Sequence, residues 1–261
     1  MRVSVLASGS SGNCTLFESA TTSVMVDAGI GPRALEQALI TLGAKLPDAI
    51  VITHAHQDHV GNAARIAKRR RIPVYMTEAT AREVTLPGQV EEFRFETREP
   101  FAIGDLVLSP LPLPHDAANV AIKVSDDEGT ACIVTDVGEP TGRLIDHLRD
   151  CDVVLLESNY DEQLLACGPY PWGLKQRVAS ARGHLSNKQA HTVLRRLSAR
   201  THTVVLVHLS ETNNTREHAT EWARDALPMK VNVRVADPRG MVSVCTGPFR
   251  KSKPPVQLSL L

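Results

Sequence analysis

Apolar residues fall in short dense runs divided by turn residues. RVSVLA (2–7), TLFES (15–19) and SVMVDAG (23–29) are separated by GSSGN and ATT, which predicts three strands. The period then changes. In PRALEQALITLG, Leu35, Leu39 and Leu42 stand at i, i+4 and i+7, with Pro32 near the start and Gly43 at the end, the pattern of an amphipathic helix. Strands are predicted at DAIVIT (48–53), IPVYM (72–76), LVLSPLPL (106–113), NVAIKVS (119–125), TACIVTD (130–136), DVVLLES (152–158), THTVVLVH (201–208), VNVRVA (231–236) and MVSVCT (241–246). Helices are predicted at NAARIAKRR (62–70), PTGRLIDHLRD (140–150), SNKQAHTVLRRLS (186–198) and TREHATEWARDAL (215–227). Strands come first, strand–helix alternation follows, and the second half repeats the plan. Mixed sheets covered by helices explain both the near-continuous apolar strands and the amphipathic helices.

With 261 residues, the chain can bury roughly 70–75% of its unfolded surface in one large domain. The expected division is a folded domain over 1–246 and a flexible Lys- and Pro-rich tail over 247–261. Lys plus Arg and Asp plus Glu are both 29, so no global cationic field draws in nucleic acid, and such binding would need a local patch. The dense basic run Lys68 to Arg71 reads as the solvated end of a helix. The five cysteines, Cys14, Cys132, Cys151, Cys167 and Cys245, are scattered without a CxxC pair, which fits reduced thiols; Cys132 and Cys245 sit in apolar runs and are expected in the core. No apolar stretch approaches the roughly 18 residues of a membrane span, and the N-terminal stretch lacks the apolar core of a secretory signal. A cytoplasmic protein is expected, with no membrane partner.

The chemistry concentrates in THAHQDHVGN, which follows the apolar run AIVI and packs His54, His56, Asp58 and His59 into six positions. Loops at the carboxyl ends of strands project side chains into a crevice outside the sheet. So many lone-pair donors are costly to pack unless a cation satisfies them, and imidazole and carboxylate ligands reach a divalent metal at about 2.0–2.2 Å. One loop cannot supply two complete shells. Further ligands recur at strand ends: His115 after LPLP, Asp136 after IVT and His208 after VVLV.

This set, with VDAG (Val26 to Gly29) before it, resembles the metallo-β-lactamase superfamily of metal-dependent hydrolases. The resemblance runs through nearly the whole chain. It implies an α/β fold, the αββα four-layer sandwich of two mixed β-sheets flanked by helices, with the site at one edge of the sheets. It also implies one metal on His54, His56 and His115, a second on Asp58, His59 and His208, Asp136 bridging, and Asp27 supporting the loop from behind. The nitrogen and carboxylate donors suit zinc, and manganese or iron fits the same set.

Glu157 in LLESNYD and His184 in RGHLSNKQA, with Ser186 at the N-cap of the following helix, are similar to a Glu–His pair in superfamily branches that cleave phosphodiesters. There the histidine contacts the scissile phosphate and the carboxylate orients it. A histidine held by a carboxylate keeps its proton and can give it to a leaving oxygen. LASGSSGNCT, GHLSN and HLSETNN together resemble the YycJ-like branch, compact bacterial members regarded as DNA exonucleases. In its glycine-rich loop, Ser10, Ser11 and Asn13 are the expected contacts to substrate phosphate. About seventy residues separate Asp136 from His208, too few for the inserted domain of the RNase J type, and no RNase Z-like arm is visible.

The chain ends in QLSLL behind Pro254 and Pro255. That pentapeptide resembles the bacterial sliding-clamp binding motif, with Gln257 for polar contacts and Leu258, Leu260 and Leu261 for the pocket, Leu261 standing where Phe is commonest. A clamp partner selects DNA over RNA. The expected function is a binuclear metal phosphodiesterase, a DNA exonuclease of repair or replication, with Asp58, His184 and Glu157 as catalytic residues. Hydrolysis of a small thioester or lactam at the same metals is one alternative, and a clamp- or DNA-associated adaptor with a structural metal site is another.

Overall fold

In the strand run SVMV, alternate residues enter different cores. Val24 and Val26 join an apolar layer with Phe17, Val51, Leu108, Ile122, Leu155 and Val205. Met25 points the other way, to Leu16, Ile50, Leu35 and Ile66. A strand buried on both faces has no polar side, so its sequence reads as a continuous apolar run. The same split recurs at Val153 and Leu155 against Val154 and Leu156. Each such side chain taken out of water contributes about 1.5–3 kcal/mol.

The computed structural model describes residues 1–236, 238 and 240–247. Its elements are β1 (Arg2–Ala7), β2 (Cys14–Glu18), β3 (Ser23–Val26), α1 (Pro32–Leu42), β4 (Ala49–Val51), α2 (Gln57–Val60), α3 (Ala63–Arg70), β5 (Val74–Met76), α4 (Glu78–Glu83), β6 (Glu92–Arg94), β7 (Phe101–Ile103), β8 (Leu106–Leu113), β9 (Asn119–Asp126), β10 (Gly129–Val134), α5 (Gly142–Leu148), β11 (Val153–Glu157), α6 (Glu162–Cys167), α7 (Trp172–Val178), α8 (Asn187–Leu194), β12 (Thr203–Val207), α9 (Arg216–Ala226), β13 (Asn232–Val235) and β14 (Val242–Cys245). One seven-stranded sheet runs β14-β1-β2-β3-β4-β5-β6 and the other β13-β12-β11-β10-β9-β8-β7. Helices α1 and α3 cover the outer face of the first sheet. Helices α5, α8 and α9 cover that of the second, and the sheets meet in the layer between them. This is the αββα sandwich of two mixed sheets.

Both sheets share one plan. The pairings from β14 to β3 are antiparallel and those from β3 to β6 parallel. The pairings from β7 to β10 are antiparallel and those from β10 to β13 parallel. Strands β3, β4, β8, β10, β11 and β12 lead at their carboxyl ends into Asp27, the histidine loop, His115, Asp136, Glu157 and His208. VNVRVA and MVSVCT fold as strands, as expected, but do not pair with each other. They become β13 and β14, edge strands of different sheets. β14 returns to pair with β1, Arg2 opposite Cys245 and Val5 opposite Val242, and Thr246 N–H donates to Met1 O at 3.0 Å. On that edge Cys245 is only half-buried, whereas Cys132 is fully buried. All five cysteines are free.

The sequence pattern leaves 77–105 and 159–185 without elements; the structure has α4, β6 and β7 in the first and α6 and α7 in the second. β6 is an edge strand exposed at all three positions, so it carries no apolar alternation. Ser186 caps α8 as expected, in a capping box with Gln189. Lys68 and Arg69 are exposed in the last turn of α3. No helix among the described residues is long and apolar enough to cross a membrane. The tail residues Gln257, Leu258, Leu260 and Leu261 lie outside the described residues.

Candidate metal centre

The histidine loop is assembled from behind by Asp27. Its carboxylate accepts from the Thr53 N–H at 2.9 Å, from Thr53 Oγ1 at 3.0 Å and from His59 Nδ1 at 2.6 Å. Asp27 achieves this with left-handed backbone, φ 62°. Asp136 (57°) and His208 (55°) share that conformation, which costs a residue with a β-carbon about 1–2 kcal/mol. Three of the four such non-glycine residues described therefore surround one place, and strain of this kind collects at functional sites. Gly29 is required for close approach, since a β-carbon there would fall 1.9 Å from Asp58 O and 2.6 Å from Asn13 N. Asn13 itself is buried. Its N–H donates to Asp58 O at 2.7 Å, and its Nδ2 lies 3.1 Å from Asp58 Oδ2 and 3.0 Å from His59 Nε2.

Hydrogen bonds fix which nitrogen of each ring carries the proton. His59 Nδ1 donates to Asp27, His115 Nδ1 to Gly183 O at 3.0 Å, and His208 Nδ1 to Glu157 Oε1 at 3.1 Å. Thr53 Oγ1 gives its own proton to Asp27 and so accepts from His54 Nδ1 at 3.0 Å. His56 Nε2 lies 3.3 Å from Asp116 Oδ1, which leaves Nδ1 as its free nitrogen. The five remaining ring nitrogens converge. His115 Nε2 is 3.3 Å from His56 Nδ1, and the His54 ring centroid lies 4.7, 4.2 and 5.3 Å from those of His56, His59 and His115. Asp136 Oδ2 is 2.8 Å from His59 Nε2, and Asp58 Oδ2 is 3.3 Å from His208 Nε2.

These atoms form four overlapping groups with all ligand atoms within 4.8 Å of one another. They are His54, His56 and His115; Asp58, His59 and His208; His54, His59 and Asp136; and Asp136, Glu157, His184 and His208. His54 Nε2 is buried with no hydrogen-bond partner, and buried Asp136 Oδ2 faces only His59 Nε2, a nitrogen whose ring proton is already committed to Asp27 through Nδ1. Buried lone pairs left this way cost free energy that a cation recovers, so the donor set fits divalent metal ions. The electrostatics agree. Burial opposes charge on Asp136, but the imidazoles of His208 and His59 outweigh it and hold the carboxyl well below its ordinary range. Asp58 is lowered too, its burial outweighed by His208 and His59. His208 is pushed up to about 10, Asp136 overcoming burial. Without a cation those carboxylates favour protons on imidazole; a metal takes the protons' place, and its binding should release them.

Glu157 is fully buried, and its carboxylate is used four times. Oε2 accepts from Val137 N–H at 2.9 Å and Leu185 N–H at 3.1 Å, while Oε1 accepts from His208 and, at 2.8 Å, from His184 Nδ1. His184 is raised above the ordinary histidine value, since Glu157 outweighs the burial that opposes its charge. Its ring reaches a cavity of about 300 Å³, lined by Ser10, Asp58, Asp136, His208 and Arg177 among others. Within the glycine-rich loop, Ser10 lines this cavity and Ser11 is exposed outside it. Asn13 is turned inward onto Asp58 and His59, because its amide completes the buried hydrogen bonds behind the loop.

Other residues at the site went unread in the sequence. Asp116 Oδ1 lies 3.1 Å from His115 Nε2, and its Oδ2 accepts from Arg177 Nε at 2.7 Å. Its place directly after His115 was the available signal. Asn159 Nδ2 donates to His208 O at 2.8 Å, and Ser8 Oγ accepts from the His208 N–H at 2.7 Å. A larger groove of about 730 Å³ between α9 and strands β13 and β14 shares no residue with the ligand groups.

A sandwich of two mixed sheets with this donor set at the carboxyl ends of its strands defines a metallo-hydrolase class, and a family model for the beta-lactamase superfamily domain matches residues 22–209. The chain belongs to that superfamily. It is 33% identical over 251 residues to exodeoxyribonuclease WalJ of Streptococcus pneumoniae, covering 90% of this chain and 93% of that one. It is 30% identical over 227 residues to exodeoxyribonuclease YycJ of Bacillus anthracis, covering 84% and 86%. The fold superposes on the crystal structure of the metallo-beta-lactamase fold protein YhfI from Bacillus subtilis with a TM-score of 0.74, at 18% identity, over 93% of this chain and 99% of the other.

Proposed function

We propose that the protein is a binuclear metal-dependent phosphodiesterase that degrades DNA as an exonuclease, in the cytoplasm, in repair or replication. The observation that carries this reading is the His184–Glu157 pair, 2.8 Å apart, set against the donor cluster in one cavity. Two relatives covering most of the chain are named exodeoxyribonucleases. On this reading one cation is held by His54, His56 and His115 and the other by Asp58, His59 and His208, with Asp136 shared and Asp27 holding the loop. Zinc suits these donors best, and manganese or iron is accepted by the same set.

Bound divalent cations supply charge for the phosphoryl oxygens and make water acidic enough to act as a nucleophile near neutral pH. The protein supplies the rest. Ser10 at the cavity wall offers a hydrogen bond to a phosphate oxygen. Water releases one proton to solvent as its oxygen bonds to phosphorus; as the bond to the leaving oxygen breaks, His184 gives that oxygen its proton, and Glu157 keeps the ring charged and aimed. The test is digestion of end-labelled single- and double-stranded DNA and RNA with zinc, manganese or chelator. DNA shortened from its ends, stopped by chelator and restored by metal, is expected. Intact DNA alongside hydrolysis of a small thioester or lactam overturns the proposal.

The terminal Gln257, Leu258, Leu260 and Leu261 are read as a sliding-clamp peptide, behind a Pro-Pro tether that raises its effective concentration at the clamp. Removal of residues 257–261 should abolish capture by purified bacterial clamp; undiminished capture refutes it.

A further inference from the structure

The tripeptide His-Leu-Ser occurs twice, at 184–186 and 208–210. Both histidines donate Nδ1 to the same carboxylate oxygen, Glu157 Oε1, at 2.8 and 3.1 Å. One ring belongs to the proposed acid and the other to a proposed metal ligand, so a single oxygen orients both. It can do so only if three backbone segments keep one register: the exit of β11, the turn before α8 and the exit of β12.

Each of those segments carries a buried polar side chain a few residues on: Ser158 after Glu157, Asn187 after His184 and Asn214 after His208. The three meet behind the site. Asn187 Nδ2 donates to Asn214 Oδ1 at 2.9 Å, and Asn214 Nδ2 donates back to Asn187 Oδ1 at 2.9 Å, which closes an amide pair. Ser158 Oγ donates to Asn187 Oδ1 at 2.7 Å, and Asn214 Nδ2 also donates to Ser158 O at 2.8 Å. Asn214 Oδ1 accepts in addition from the Thr215 N–H at 2.9 Å. Both lone pairs of each amide oxygen are thereby used. None of the three side chains lines the catalytic cavity, so they act on it only through others. The backbone follows the same seam: Asn159 N–H donates to Leu185 O at 2.9 Å, Ser210 N–H to Asn159 O at 2.8 Å and Asn187 N–H to Tyr160 O at 2.8 Å.

Two helices begin at this junction, α8 capped by Ser186 and α9 by Thr215. Apolar contacts alone could pack two helix starts together, but burial of apolar surface is non-directional. A reciprocal amide pair fixes both distance and angle, because its hydrogen bonds weaken steeply when bent, and a buried network rigidifies only when every member is satisfied. Two ring nitrogens aimed at one oxygen need that angular control. We propose that Ser158, Asn187 and Asn214 are positioning residues, a buried amide tie that locks the segments bearing Glu157, His184 and His208 into one register. The tie aims the acid at the leaving oxygen and the His208 ring at its cation. Its action through His184 rests on the phosphodiesterase reading; its action through His208 rests only on a bound cation.

Asn214→Ala opens the pair. With zinc saturating, kcat on DNA should fall about 10- to 100-fold, the cost of an ångström-scale misplacement, with KM little changed. In the His184→Ala background the same substitution should cost almost nothing further, because a tie that acts through that ring has nothing left to aim. A substitution that merely destabilises the fold lowers both backgrounds alike. In the absence of substrate, zinc affinity measured against a competing chelator should weaken by about 10- to 100-fold. Ser158→Ala removes one hydrogen bond and leaves the amide pair closed; it should shift both readings the same way, and it carries the test if Asn214→Ala does not fold. Wild-type kcat and zinc affinity in folded variants of a protein that digests DNA overturn the tie, as does a loss of kcat that persists in full beside His184→Ala. A wild-type protein that cleaves no DNA overturns the phosphodiesterase reading instead, and weakened zinc binding by the variants then upholds the tie through His208 alone.

Discussion

Asp136→Asn should lose at least one of two bound metals per chain and about 10³-fold in kcat/KM on DNA, some 4 kcal/mol of transition-state stabilisation. The substitution isolates charge. Asparagine has nearly the same shape and is, like aspartate, tolerant of left-handed backbone, so the φ of 57° survives. What disappears is the carboxylate that lies 2.8 Å from His59, 3.4 Å from His184 and 3.6 Å from His208. An amide in its place offers a neutral oxygen, or turns an N–H toward the cations. Elemental analysis gives the stoichiometry. Thermal unfolding with and without added metal gives a second readout, since a ligand that binds only the folded state raises its stability. The wild type should be stabilised by added metal and the variant much less. Two metals retained with undiminished turnover would remove Asp136 from the centre.

The donor residues were legible in sequence because metal chemistry compresses into few residue types and the fold places them at strand ends. His54, His56, Asp58 and His59 are contiguous, and His115, Asp136 and His208 each follow an apolar run that could be little but a strand. The two-sheet sandwich was legible for a related reason: SVMV and DVVLLE lack a polar face, so both faces must be covered. What the pattern hid is non-local or exposed. Arg177 and Asp116 are 61 residues apart, and nothing in either segment announces their pairing. α6 and α7 are short helices with Pro171 and Gly168 at their boundaries, which read as loop. Asn13 sits in a glycine-rich stretch that resembles a phosphate loop, and only folding shows its amide turned onto Asp58. The crossing of β14 to the first sheet is likewise decided by which edge is free, not by its own residues.

His184→Ala should lower kcat on DNA by about 10²- to 10⁴-fold, the worth of a positioned acid, without changing metal content. The ring meets the donor cluster at its margin, through Glu157 at 2.8 Å and Asp136 at 3.4 Å and with its centroid 5.5 and 5.4 Å from those of His115 and His208, and it is not itself a proposed ligand, so its removal leaves each of those in place. The leaving group distinguishes proton donation from simple attraction to phosphate. The sugar oxygen of DNA is strongly basic and leaves poorly without a proton, whereas nitrophenolate departs unaided. On bis(p-nitrophenyl) phosphate the same variant should therefore lose less than about tenfold. Equal losses on both substrates would make His184 a charge-assisted hydrogen-bond donor to the phosphate, and full activity on both would take it out of the reaction. Glu157→Gln should be harsher than its distance from the phosphate suggests. Its carboxylate also holds Val137 and Leu185 N–H groups and the His208 ring, so the acid and one proposed ligand both lose their orientation, and metal content should fall with turnover. A variant of Glu157 that lost turnover but kept both metals would confine its effect to His184, which is the separation the two substitutions are chosen to measure.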